Sequence, residues 1–553
     1  MPATEETDVQ TQTLSALIRS RARERGDAPA FVTPARTWRY ADLDAESNRL
    51  ANGLAALGVG PGDRVGCLTR HTAECICLLL ACAKLGAVCA PYNWRLAAGE
   101  LEYVINHGEA RVLLSDAFML PTLAQIAMPD VRRILVIDAA EAPDASAPPG
   151  ASAQADAAAS PTRIDALSAF RAGFPATDPA GPARPTDTVL QLCSSGTTGL
   201  PKGVELTHFG LLEMCGYLRI LFGQGQDIVQ LNVLPTFHVS GTVNALWTVF
   251  EGAMTVAYPE FDPERVLQAI AEHRVRCAFL VPAMMQFLLH SPAIGSADLS
   301  SLRTIGYGGS PIGEQLLTEV MQAFGCDMVQ VYGATEVSGT LTVLSAQDHN
   351  PSPERADLLR SAGKPIAGVE LRIVDLDTFA EQPEGVVGEV WVRTRTLMKG
   401  YFRNDDATRE AFPLGRDADG FGGWYRTGDA GYLRGGYLYI HDRVKDMVIS
   451  GGENIYPAEV ENTVARHPAV AEVAVIGVPD PVWGESVKAC VVLRDGAQAS
   501  EAELLAFTRE RLAHYKCPKS IDFMPELPRN PSGKLLKRML RQRYWPDAAR
   551  PIG

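Results

Sequence analysis

The sequence predicts an α/β protein with a large multi-layer amino-terminal domain and a small α/β domain at its carboxyl end. Three observations lead there. At 553 residues the chain is too long for one hydrophobic core. Short apolar runs that read as strands alternate with stretches of helical period and with glycine turns. After Asp442 the texture changes, and a compact strand-and-helix pattern of roughly a hundred residues follows, a common domain size.

The elements follow in order. From Tyr40 to Gly58, Leu43, Leu50, Leu54 and Leu57 recur at helical spacing, and Gly58 ends the pattern. Val65-Gly66-Cys67-Leu68 reads as a short buried strand, and Cys75 to Leu85 as a buried helix. Between 139 and 185 the composition turns to Ala, Pro, Asp, Ser and Gly. Such a stretch buries too little apolar surface to offset its ordering entropy, so an irregular insertion is expected. From Val189 to Leu433 strands and helices alternate again. Pro457 to His467 reads as a helix opened by proline and stopped by Pro468, and Val470 to Val478 and Val487 to Leu493 read as strands. The domains are therefore expected at 1–443 and 444–553.

Composition excludes several classes of function. Hydrophobic residues at 46% and charged residues at 21% describe an ordinary globular protein. A net charge of −14 argues against a nucleic-acid or anionic-membrane partner, which rewards positive surface. The apolar run from Cys75 to Ala90 is interrupted by Lys84 and Gly86 and is short for a membrane span. The amino terminus is acidic and lacks a signal-peptide pattern. Eleven cysteines lie scattered without paired zinc-type spacing and read as reduced core thiols, which makes the cytoplasm the expected compartment. The expected partners are small molecules, with a homodimer as an option.

The most informative stretch is Ser194-Ser195-Gly196-Thr197-Thr198-Gly199-Leu200-Pro201-Lys202-Gly203. Glycines let a backbone approach a ligand closely, hydroxyls donate hydrogen bonds, and lysine adds a mobile charge; together they suit phosphate oxygens. It is not the Walker pattern, because Gly203 rather than a hydroxyl follows Lys202. A plain solvent-exposed turn is the alternative.

Four further clusters bear on the choice. Tyr332-Gly333-Ala334-Thr335-Glu336 sets an aromatic ring, a hydroxyl and a carboxylate at the end of an apolar run, suited to stacking a base, touching a phosphate and holding a hard cation. Trp424-Tyr425-Arg426-Thr427-Gly428-Asp429 puts a carboxylate at a glycine turn, suited to two ribose hydroxyls or to a simple Asx turn. Asp442-Arg443-Val444-Lys445-Asp446 leads to Gly451-Gly452 at the composition break. Pro528-Arg529-Asn530-Pro531-Ser532-Gly533-Lys534 is a rigid loop presenting one lysine.

With these five stretches in this order, the chain resembles the adenylate-forming superfamily, which contains acyl- and aryl-CoA synthetases, firefly-type luciferases and peptide-synthetase adenylation domains. The resemblance runs from near the amino terminus to Lys534, and Pro91 to Leu96 and Gly400-Tyr401-Phe402-Arg403-Asn404 add to it. It implies a large adenylation domain with a small mobile one, and an acid–thiol ligase using ATP, Mg²⁺ and coenzyme A. Ser194, Ser195, Gly196, Thr197, Thr198, Gly199 and Lys202 would embrace the β- and γ-phosphates of ATP. Gly308, Gly309 and Ser310 would form the adenine-side loop, with Tyr332 stacking on the base beside Gly333. Thr335 would contact the α-phosphate, Glu336 would bind Mg²⁺, and Asp429 and Arg443 would hold the ribose. Lys534 would bridge the carboxylate and α-phosphate oxygens as charge builds. The hinge would fall at Lys445, exchanging the Lys534 face for the Gly451-Gly452 face beside a pantetheine tunnel.

His238, in Leu234-Pro235-Thr236-Phe237-His238, bears on the branch. Where amino-acid-activating domains carry an aspartate for the substrate ammonium, an imidazole offers no fixed negative charge. The resemblance therefore implies a fatty or aromatic acid. Nearby Val243, Leu246, Trp247 and Val249 fit an apolar pocket or a plain helix core equally well. With 19 residues after Lys534 and no appended carrier domain, free CoA is the expected thiol. A carrier protein or another acceptor is the alternative, and an idle nucleotide-binding regulator is the non-enzyme rival. A serine hydrolase fits poorly, because Gly308-Gly309-Ser310-Pro311-Ile312 lacks the closing glycine of the nucleophile elbow.

Overall fold

The structure is a computed structural model. It describes residues 12–138, 162–194, 201–310, 312–349, 353–417, 422–450, 453–529 and 535–545. Its contacts divide the chain into two compact units, residues 1–370 with 393–425, and residues 371–392 with 426–553.

The first unit holds two large sheets. One has nine strands, in the order Lys364–Pro365, Gly339–Leu344, Asp327–Ala334, Thr304–Gly308, Cys277–Leu280, Val229–Asn232, Met254–Ala257, Pro29–Val32 and Thr37–Arg39. From Pro29–Val32 to Asp327–Ala334 every pairing is parallel, and antiparallel strands close both edges. Strands buried on both faces explain why they read as apolar runs such as Cys277–Leu280. The strand Val229–Asn232 lies between the next two strands in sequence, Met254–Ala257 on one side and Cys277–Leu280 on the other. The connections therefore reverse direction there. In open α/β sheets a crevice opens at that point, outside the carboxyl ends of the strands.

The other sheet has eight strands, in the order Gly400–Tyr401, Lys202–Thr207, Thr188–Ser194, Val88–Pro91, Arg64–Leu68, Ala110–Asp116, Arg133–Ile137 and Arg163–Ala166. Helix Thr72–Leu85 is buried along its whole length, so its apolar residues face protein on every side, and Gly86 ends it in the left-handed conformation. Lys84 on this helix is fully buried yet satisfied: its ammonium donates to Asp44 Oδ1 at 2.6 Å, Ser47 Oγ at 2.8 Å and Asn48 Oδ1 at 2.6 Å.

The stretch 139–185 is not irregular throughout. Within its described part, Arg163–Ala166 pairs with Arg133–Ile137 as an edge strand, and Leu167–Ala172 forms a short helix. Composition hid this, because the helix is held by distant partners. Phe170 sits so close to Gly53 that a Cβ there would meet its ring at 2.5 Å. Arg171, only 2% exposed, reaches Cys77 Sγ at 3.7 Å.

The second unit contains most of a four-stranded sheet, in the order Glu370–Val374, Gly388–Arg393, Tyr425–Arg434 and Tyr437–Arg443. It also contains a sheet of Glu453–Ile455, Val448–Ser450, Gly484–Leu493 and Val470–Asp480, with Ser520–Phe523 alongside Gly484–Leu493. Helices Pro457–Val464 and Glu501–Arg509 cover one face of this sheet through Val460, Val464 and Leu504. Helix Lys537–Arg541 places Leu540 in a second cluster with Ala474, Ile476 and Cys490. The pattern read after Asp442 thus forms strands and helices around two apolar clusters, within a unit that also takes in residues 371–392 and 426–443. All eleven cysteines are free thiols. Among the described residues, no helix is long and apolar enough to cross a membrane.

Candidate active site

The hydroxyl-rich run sits at a hairpin. Thr188–Ser194 and Lys202–Thr207 pair antiparallel, and Ser194 and Lys202 are the last partners before the connection. A P-loop instead passes from strand to helix. Ser195, Gly196, Thr197, Thr198 and Gly199 lie outside the described residues. Lys202 Nζ stands 4.9 Å from the centre of the Tyr401 ring. Tyr401 in turn donates its hydroxyl to Glu336 Oε1 at 3.1 Å.

Backbone bonds hold this arrangement. Tyr401 faces Val204 across the edge-strand pairing. Phe402 N donates to Gly203 O at 2.7 Å and Met398 N to Glu336 O at 2.7 Å. Ser338 Oγ donates to Thr396 O at 2.7 Å. The two sheets of the first unit meet here, and the lysine of one comes within a single side chain of the glutamate of the other. Burial, reinforced by the Glu336 carboxylate, pushes the Tyr401 hydroxyl well above the ordinary tyrosine range, so it stays a proton donor.

The residues that the resemblance sets on the adenine side lie at the ends of neighbouring strands. Gly308 ends Thr304–Gly308 directly beside Val331, the residue before Tyr332. A Cβ at Gly308 would lie 2.4 Å from Val331 O, and one at Gly333 only 1.8 Å from Gly339 O. Only glycine fits either position, which explains two of the glycines in these motifs. Gly309 and Ser310 follow as exposed residues just past the strand. Tyr332 is half-buried, and Thr335 and Glu336 lie in the 3₁₀ turn Thr335–Val337 that continues the strand.

His238 follows Val229–Asn232, the strand at which the connections reverse, and stands at the cap of helix Val239–Glu251. His238 N donates to Pro235 O at 3.1 Å and Thr242 Oγ1 to Thr236 O at 2.6 Å, which fixes the turn. The half-buried imidazole lies against Phe237, ring centres 4.6 Å apart. Val243, Leu246, Trp247 and Val249 are buried, and Trp247 packs on Phe222 at 5.1 Å.

In the second unit Asp429 and Arg443 are cross-strand partners joined by an ion pair of 2.8 Å. Thr427 orients the turn before Asp429, donating its hydroxyl to Val390 O at 2.7 Å and accepting from Asp429 N at 3.1 Å. Lys445 lies in the 3₁₀ turn Val444–Asp446 that follows. Arg541 pairs with Asp446 at 2.7 Å and Lys537 with Glu461 at 2.9 Å, tying the last helix to that turn and to helix Pro457–Val464. Gly451 and Gly452 lie outside the described residues, between the paired Ser450 and Glu453. Lys534 also lies outside them. Its flanks are pinned, with Arg529 bridged to Leu535 and Leu536 N donating to Pro528 O at 2.8 Å.

Sequence reasoning did not single out Tyr401. Its stretch was noted, but a joint between Lys202 and Glu336 depends on strand register that no local pattern displays. For Mg²⁺ the residues fit. Mg²⁺ is normally held by one or two carboxylates and by substrate phosphates. Glu336 would supply one such carboxylate, with its Oε1 held by the Tyr401 hydroxyl at 3.1 Å.

Comparison with known proteins gives the family. The model of the AMP-binding enzyme family matches residues 18–402, and that of the AMP-binding enzyme C-terminal domain matches residues 459–534. A fatty acid–[acyl-carrier-protein] ligase of Streptomyces coeruleorubidus is 36% identical over 552 residues, 98% of each chain. A feruloyl-CoA synthase of an Amycolatopsis species is 37% identical over 526 residues, 95% of this chain and 97% of that one. Crystalline ATP-bound MatB from Rhodopseudomonas palustris superposes with a TM-score of 0.82 at 30% identity, covering 96% of this chain and 99% of that one. This chain belongs to the AMP-binding enzyme family and is an adenylate-forming ligase of its acyl-CoA synthetase branch.

Proposed function

We propose that this ligase joins a fatty or aromatic carboxylic acid to coenzyme A in two steps. The carboxylate attacks the α-phosphorus of ATP, giving acyl-AMP and pyrophosphate. The CoA thiolate then attacks the acyl carbon and AMP leaves. The observation that carries the reading is the meeting of Lys202, Tyr401 and Glu336 where the two sheets join. A cation and a carboxylate held there, with Glu336 in the turn that continues the Tyr332 strand and Gly308 on the strand beside it, suit a metal-bound triphosphate.

In this reading the run from Ser194 to Lys202, with Thr197 and Thr198 central, takes the β- and γ-phosphates. Gly308, Gly309, Ser310 and Tyr332 take the adenine, and Thr335 the α-phosphate. Glu336 would hold Mg²⁺, whose charge offsets that of the phosphates. The Asp429 carboxylate, set by Arg443, accepts from ribose hydroxyls. Lys534 faces the charge that builds during adenylation, and no general base is needed because the acid is already an anion. His238 stands on the acid side. Residues 444–553 swing about Lys445 so that Gly451 and Gly452 replace Lys534 for the thioester step. The free, mostly buried thiols suit a cytoplasmic enzyme.

One experiment tests the reaction: a panel of fatty and aryl acids scored for AMP release with CoA, with an acyl-carrier protein, and with neither. CoA-dependent AMP release with at least one acid supports the proposal. Release only with the carrier protein replaces the acceptor, which the likeness to a carrier-protein ligase makes a specific alternative. No AMP from any acid would leave a nucleotide-binding regulator.

A further inference from the structure

Tyr401 has no place among the roles just given, yet it touches two of the residues that hold them. Its position is set by backbone, since Gly400–Tyr401 pairs with the strand bearing Lys202. Tyr401 N donates to Thr408 Oγ1 at 2.9 Å, and Asn404 N donates to Tyr401 O at 3.1 Å. The side chain then presents different groups to opposite charges. Its ring face takes the Lys202 ammonium at 4.9 Å, and its hydroxyl donates to Glu336 Oε1 at 3.1 Å. Among the described residues, Lys202 and Glu336 form no direct ion pair within 4.0 Å.

That separation has a chemical consequence. A lysine and a glutamate left free to meet would neutralise each other, and each would then have to be torn from its partner to serve a ligand. An aromatic face attracts a cation through its quadrupole without consuming a hydrogen-bond acceptor. A phenol hydroxyl satisfies one carboxylate oxygen and leaves the other open.

We propose that Tyr401 is a positioning residue that holds Lys202 and Glu336 apart and oriented, so that a nucleoside triphosphate with its divalent cation meets both charges unpaired. The inference rests on the reading of Lys202 as a phosphate ligand and Glu336 as the cation's carboxylate.

The test is equilibrium binding of ATP, without acid, in Mg²⁺ and in EDTA. In Tyr401→Phe the ring persists and the hydroxyl is gone. Its affinity in EDTA should equal that of the wild type, while the gain on adding Mg²⁺ should shrink by about tenfold, the scale of one hydrogen bond to a charged group. In Tyr401→Leu the spacer is lost, and affinity in EDTA should fall as Lys202 collapses onto Glu336. Adding Glu336→Gln to Tyr401→Leu should restore the EDTA affinity by removing that partner. A role in folding alone would weaken binding alike in both buffers, without rescue. An unchanged Mg²⁺ response in Tyr401→Phe, or no rescue in the double variant, overturns the proposal. If Tyr401→Leu does not fold, the Mg²⁺ response of Tyr401→Phe decides. Lys202→Ala and Glu336→Gln with Tyr401 intact are the controls. If neither alters ATP binding, the reading of the site fails and not merely the part given to Tyr401.

Discussion

Asp429 and Arg443 face each other across an antiparallel strand pair, with carboxylate and guanidinium 2.8 Å apart. The aspartate side chain is 11% exposed and the arginine 35%, so the anion is sheltered and the cation reaches the edge. An ion pair placed only for stability needs no such asymmetry. In the proposed reading, this pair stands where the ribose hydroxyls of ATP are held.

Removing either charge should therefore raise the KM for ATP and not only loosen the sheet. Asp429→Asn loses an anionic acceptor, and a charged hydrogen bond contributes about 1.5–3 kcal/mol, so KM should rise roughly tenfold or more. Arg443→Gln should act in the same direction, and the double variant should cost less than the sum, because the two residues act as one unit. Steady-state adenylation with ATP varied, beside thermal unfolding, checks this. A fall in melting temperature with ATP KM unchanged would leave the pair a purely structural clamp.

The division of labour in the second unit gives a sharper expectation. Lys534 is proposed to serve adenylation and Lys445 to serve the swing between steps, so their variants should fail at different stages. Lys534→Ala should abolish acyl-AMP formation while a supplied acyl-adenylate is still converted to thioester. Lys445→Pro fixes φ where a rotation is required, and should slow thioester formation more than adenylation. Single-turnover assays of each half-reaction separate the two. Equal loss of both half-reactions in both variants would remove the distinction.

Much of the site was legible because its residues act through type and order. The resemblance picked out Gly308 and Gly333 from their motifs, and the fold leaves no room for a Cβ at either. The alternation of strands and helices was equally plain, since parallel strands buried on both faces must be apolar. What stayed hidden depends on distant pairing. Tyr401 becomes a joint only through its register with Val204, some two hundred residues away in sequence. The helix Leu167–Ala172 is held by Gly53 and Cys77 rather than by its own composition. Val243 and Trp247 could not be sorted between core and pocket, because a helix buried all round looks the same in either case.

His208 gives the last expectation, concerning stability and pH. It opens helix His208–Phe222, is fully buried, and its Nδ1 accepts from Leu14 N at 3.1 Å, joining the first helix to the core. Burial pulls its pKa down from 6.5 to about 4, with Asp187 opposing the shift. The folded imidazole is therefore neutral, while the unfolded chain takes up the proton first as pH falls. Its contribution to stability is intact above pH 6.5 and is lost progressively toward pH 4, about 3 kcal/mol in all. His208→Gln keeps an acceptor for Leu14 N but does not titrate. Urea unfolding from pH 7 to pH 4 should show wild type losing stability more steeply than the variant, the gap opening below pH 6.5 and levelling near pH 4. Parallel curves would mean that His208 can take up its proton without leaving the core.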